Sequence, residues 1–252
     1  MISEFTLNLP PYALALTGVV IFVASFARGY SGFGFSAILM AGLLPILPAS
    51  QLVPLSIALE ILASCSLAPR ILPDINRRFL AILLVASLIG TPAGVFLLSY
   101  FPEDKLSLAV YGVILVSTGL MLLSSWRPFS VALPGLFLAG LVAGAVNGAT
   151  ALSGLVLALF FTSSTVASHT MRATMIAYLF FTDVITGGML FAADHYDMVT
   201  LWRILAFAPI MLVGIWLGSR HFLSTPTESF KNRVLWLLLL FCIAGAGRLV
   251  LS

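Results

Sequence analysis

Residues 27–45 read ARGYSGFGFSAILMAGLLP and interrupt an apolar run that begins near Pro11. An arginine, Arg28, stands before three glycines, Gly29, Gly32 and Gly34, and the apolar stretch that follows, 33–47, is short. Crossing the hydrocarbon core of a bilayer as one straight helix takes about 20 residues. A charge and a glycine cluster therefore lead into a segment too short to cross comfortably, the pattern expected where a membrane helix is broken.

The rest of the chain makes the membrane unavoidable. Of 252 residues 61% are apolar and 8% charged, and mean hydropathy is +1.14. No water-soluble core hides that much apolar surface, and helices satisfy their own backbone in lipid, so the composition predicts an all-α polytopic membrane protein. The net charge of +3 is small and spread over loop ends, which argues against nucleic-acid binding. Cys65 and Cys242 are isolated within apolar segments and read as small core residues. The N-terminus MISEFTLNLPPYALAL has no basic n-region and reads as retained rather than cleaved. Enzyme signatures are missing: there is no H-E-x-x-H, Walker A or C-x-x-C sequence, and His169, His195 and His221 fall on separate segments. No cofactor and no metal are expected.

Ten apolar segments follow one another, at 11–28, 33–47, 51–69, 79–100, 105–124, 131–146, 151–162, 166–192, 199–219 and 230–251. The second and the seventh are short, and they hold the same place in two halves, 1–128 and 129–252. Gly90, Gly94 and Pro102 recur 124 positions later as Gly214, Gly218 and Pro226. Gly29 aligns with Gly148. These matches predict a duplication. Loop charge sets its sense: Arg70, Arg77 and Arg78 against Asp74 place the third loop in the cytoplasm, whereas its counterpart carries Asp194, His195 and Asp197. With ten crossings, Arg127 and the basic stretch 220–233 also fall inside. The expectation is two inverted-topology repeats of five segments, the second segment of each half short or broken.

Transporters of this design bind substrate near the midplane, where broken helices present backbone N–H groups and half a positive charge to an anion. Candidate binding residues are therefore Gly29, Ser31, Gly32 and Gly34 in the first half and Asn147, Gly148, Thr150, Ser153 and Gly154 in the second, with Ser36 as a further donor. Tight helix packing by small residues is the competing reading of both clusters. Arg28 either serves the anion or snorkels to the cytoplasmic face. Arg172, with His169 one turn earlier, suits an anion or a proton relay. Glu60 and Asp183 lie deep in apolar sequence, in equivalent segments of the two halves. They are proton-coupling candidates, or else each forms one structural salt bridge, Glu60 with Arg28 or Arg172.

GYSGFGFSAILMAGLLP near the start, AGLVAGAVNGATALSG opening the second half, and the glycine pairs 90/94 and 214/218 together resemble the TauE/SafE family of sulfite and organosulfonate exporters. The resemblance implies export of sulfite, sulfoacetate or a related small anion across the inner membrane by a multi-pass secondary transporter, with the bilayer and the anion as partners and a dimer compatible with it. ATALSGLVLALFF departs from the family pattern in lacking denser glycines and a following proline. Passive, channel-like anion conduction and a non-transporting membrane scaffold are the alternatives, and the buried Arg, Glu and Asp argue against the scaffold.

Overall fold

The computed structural model describes residues 7, 9–123, 130–162 and 164–222. The tenth apolar segment, with Pro226 and Cys242, lies outside them, as do Arg127 and Arg233. Among the described residues nine α-helices follow in order: α1 Pro11–Ser31, α2 Phe35–Leu43, α3 Ala49–Ile71, α4 Arg77–Tyr100, α5 Glu103–Leu123, α6 Leu133–Thr150, α7 Ser153–Thr162, α8 Ser168–Ala192 and α9 Met198–Phe222, with a 3₁₀ turn at Leu72–Asp74. Seven of them are long and apolar enough to cross a membrane, and α2 and α7 are the two that are not. The chain is a multi-pass membrane protein.

Local chemistry explains where these helices begin. Pro11 opens α1 and Pro134 lies in the first turn of α6, where the missing N–H costs nothing. Asn76 caps α4 by accepting the Phe79 N–H at 3.1 Å. Asp197 does the same for α9, its Oδ1 accepting the Thr200 N–H at 2.7 Å. That contact with Thr200 holds the Asp197 carboxyl below the usual carboxylate range. Large apolar side chains such as Val85, Ile89 and Phe96 on α4 face outward, as a lipid-facing surface requires.

Contacts between helices fix their directions. Gly140, Gly144 and Gly148 of α6 meet Leu83, Ser87 and Thr91 of α4 in that order, so α4 and α6 run parallel. Gly214 and Gly218 of α9 meet Phe22 and Phe26 of α1 in the same way. Asn76, before α4, donates its N–H to Thr174 near the start of α8 at 3.0 Å. Ser99, ending α4, pairs with His195, just beyond α8, at 2.9 Å. Burial lowers the pKa of that imidazole, with Glu103 at the start of α5 pulling the other way. Arg203, early in α9, donates to the Leu7 carbonyl ahead of α1 and to Gln51 early in α3. So α1, α3 and α9 run one way and α4, α6 and α8 the other. Loops 72–76 and 193–197 lie at opposite ends of the bundle.

The short helices fold back. Gly42 of α2 packs on Val20 of α1, and Phe160 of α7 packs near Gly135 of α6. At about 1.5 Å per residue the nine residues of α2 cover roughly half the hydrocarbon thickness. Their first turns consequently end in the interior, between α3 and α8, which pack against each other there.

Candidate substrate site at the paired helix breaks

The two breaks have the same backbone geometry. Gly32 closes α1 in the left-handed conformation, φ +82°, and its N–H reaches the Arg28 carbonyl at 2.8 Å. Ala151 closes α6 at φ +58°, and its N–H reaches the Asn147 carbonyl at 2.8 Å. Glycine adopts this region freely, whereas an alanine is strained there by about 1–2 kcal/mol. The sparser glycines at the second break therefore did not prevent the same turn. The breaks start later than the sequence reading set them: Gly29–Ser31 and Asn147–Thr150 are still helical, and the turns fall at Gly32–Gly34 and Ala151–Leu152. Long-range packing is the reason. A Cβ at Gly29 would lie 2.4 Å from the Ile215 carbonyl oxygen of α9, and one at Gly148 2.6 Å from that of Thr91 in α4. These two glycines serve helix crossings, and Gly32 and Gly34 shape the turn.

Charge converges on the first break. Arg28 is fully buried, and its Nη1 stands 3.4 Å from Glu60 Oε2 while Nη2 donates to Ser64 at 2.8 Å. Of the sequence alternatives for these residues, snorkelling by Arg28 is excluded, and Arg28 is the cation that faces Glu60. Glu60 Oε1 accepts from the Ser36 N–H at 3.2 Å and from Ser36 Oγ at 2.5 Å. A carboxylate from α3 thus caps the exposed donors at the N-terminus of α2, where the helix field favours negative charge.

The second break carries a matching chain of polar groups. Ser153, first residue of α7, donates to Asn147 Oδ1 at 2.7 Å. Asn147 Nδ2 donates in turn to Asp183 Oδ1 at 3.0 Å and to Thr186 at 3.1 Å. Asp183 lies within electrostatic range of both Glu60 and Arg28. Each half therefore contributes a polar residue from its first helix, a serine from its short helix and an acid from its third. The two triads meet across the interior. Gly34, Ser36, Glu60, Ala151, Leu152 and Gly154 line a cavity of about 10 Å³ between them, room for one water.

The remaining candidates sit around this centre. Arg172 reaches the Gly29 carbonyl at 2.8 Å and so holds the last turn of α1, where its charge also suits the helix field. Ser31 Oγ lies 2.8 Å from the Ala27 carbonyl and 2.7 Å from that of Phe33, and Thr150 donates to Val146 at 2.8 Å, so both hydroxyls serve local backbone. His169 is exposed at the start of α8, away from the buried acids. Sequence reasoning missed Ser64 and Thr186, although each stands three or four residues beyond an intramembrane acid, on the same helix face.

Seven helices long and apolar enough to cross a membrane, two short helices that follow breaks and buried charge where they meet are what the described residues bring together. A family model for the sulfite exporter TauE/SafE matches residues 17–245. The chain belongs to the sulfite exporter TauE/SafE family. No curated protein and no solved structure matches the chain. Membership agrees with a membrane exporter of sulfite or related sulfur compounds.

Proposed function

We propose that this TauE/SafE protein is a secondary transporter that exports sulfite or a small organosulfonate such as sulfoacetate across the inner membrane by alternating access. Its site is the cavity between the α2 and α7 N-termini, with Arg28 supplying charge and Arg172 holding the adjoining turn. The observation that carries this reading is the meeting of two equivalent helix breaks on one buried polar cluster. Helix N-termini and a guanidinium are the donors an oxyanion needs. The tightness of the cavity favours a site closed to both faces over a passive pore. Purified protein in liposomes is expected to carry labelled sulfite or sulfoacetate faster than protein-free liposomes, with taurine and sulfate as comparison anions. Flux at the protein-free rate for all four would refute the transport reading.

Residues 1–128 and 129–252 are, on the same proposal, inverted repeats. Their support is directional: α6, α7, α8 and α9 each run opposite to α1, α2, α3 and α4. Single cysteines at positions 72–76 should label from the cytoplasm, and those at 193–197 from the periplasm. Labelling of both loops from one face would remove the inverted arrangement.

A further inference from the structure

We infer that the Glu60 carboxylate is a built-in anion that holds the substrate site when no substrate is bound, and that substrate enters by displacing it towards Asp183 together with one proton. The inference rests on the anion-transport reading of the same site.

Glu60 already occupies the position an oxyanion would take. Its Oε1 accepts both the backbone N–H and the hydroxyl of Ser36 at the α2 N-terminus, and its Oε2 faces Arg28. Those are the donors that would bind a sulfite or sulfonate oxygen. Arg28 Nε and Nη1 are buried and make no hydrogen bond among the described residues, so the guanidinium has donor capacity beyond Ser64. The cavity beside Glu60 has about 10 Å³, which admits a water and no oxyanion while the carboxylate stays. Two anions cannot share one cation and one helix terminus in a low dielectric, so substrate and Glu60 compete.

Asp183 is where the displaced group goes. Its Oδ1 is taken by Asn147, whereas Oδ2 is buried and accepts no hydrogen bond among the described residues. A carboxylate moved off Ser36 and Arg28 into this interior would be an unpaired buried charge unless it is neutralised. One proton from the aqueous side converts Glu60 to the acid, whose O–H can then donate to Asp183 Oδ2. The arriving negative charge is cancelled by the arriving proton, so the local charge of the Arg28–Glu60–Asp183 group is unchanged for a monovalent anion. Anion and proton thereby become linked ligands. Other titratable groups nearby are Tyr178 of α8 and Tyr196 beyond it, both within electrostatic range of Asp183. Arg203 of α9 and Glu103 of α5 lie at the far ends of their helices, on Gln51 and near His195.

Titration calorimetry with methanesulfonate, a sulfonate with no carboxyl and hence a monoanion over roughly pH 5 to 8, tests the competition, with sulfoacetate and sulfite titrated beside it for binding itself. For the wild type the apparent Kd should rise about tenfold per pH unit towards the alkaline end, with one proton taken up per anion bound. Glu60→Gln, having lost the competing charge, should bind about tenfold or more tightly at the alkaline end and hold that affinity across the range. Proton uptake by the wild type is read without any variant, so the idea stays testable if Glu60→Gln does not fold. A pH-independent wild-type affinity, binding without proton uptake, or weaker binding by a folded Glu60→Gln protein would overturn the inference while leaving anion transport intact. No binding of sulfoacetate or sulfite at any pH would remove the transport reading, and this inference with it.

Discussion

Arg28→Met is expected to be among the most damaging single substitutions in the chain, lowering stability by about 3–5 kcal/mol. Arg28 is fully buried and is the cation facing Glu60, which in turn lies within electrostatic range of Asp183. Removing it leaves two acids in a low-dielectric interior where, among the described residues, Ser36 and Asn147 are what donates to them. Methionine fills much of the same volume, so the loss reports charge rather than a cavity. Arg28→Met/Glu60→Gln should recover a large part of the loss, because a neutral amide still accepts from Ser36 and no longer needs a cation. Glu60→Gln alone should be far milder, since Arg28 retains Ser64 and the amide still accepts from Ser36. Thermal melting in detergent, compared across the three variants, measures the coupling as a double-mutant cycle. An Arg28→Met protein that melts with the wild type would show that the acids do not depend on Arg28. Its anion flux should be lost whatever its stability, because on the proposed reading Arg28 supplies the guanidinium that faces Ser36 and Glu60 among the described residues.

How much of this was legible depends on the range of the interaction. The acids and Arg28 stand out in sequence because ionised groups in lipid are expensive, and that cost is local to each residue. That they form one cluster was not legible, because Arg28 and Asp183 are brought together only by the packing of α1, α3 and α8. Segment ends are legible to within a few residues wherever a proline or a charge marks them, as at Pro11, Arg77 and Glu103. They were misplaced at Gly29, where the last helical turn is fixed by a partner in α9 and by Arg172 of α8. Ala151 shows the converse. Its left-handed turn has no glycine to announce it and is held by the N–H to Asn147 and the packing of α6 on α4.

The glycine pairs that suggested a repeat make the second large expected effect, and they also limit how the protein can move. A Cβ at Gly94 would lie 2.1 Å from the Ala145 carbonyl oxygen, and one at Gly218 2.1 Å from that of Phe26. Both obstacles are backbone, which no rotamer change relieves, so α4 must separate from α6, or α9 from α1. Gly94→Ala and Gly218→Ala should each destabilise at the upper end of the about 1–3 kcal/mol typical of overpacking, and Gly94→Leu by more. Gly119→Ala and Gly188→Ala are the controls, because nothing lies within 4 Å of a Cβ at either position. There the extra methyl removes backbone freedom from the unfolded chain and should be neutral or stabilising by roughly 0.5–1 kcal/mol. The two crossings join helices from opposite halves, α1 with α9 and α6 with α4, so each tight pair moves as one body and a half-chain cannot. On the proposed transport cycle, substrate access would then open by displacement between the pairs, where α2, α7 and the acids lie. If Gly94→Ala and Gly218→Ala melt with Gly119→Ala, the crossings are loose and this restriction on the transport movement disappears.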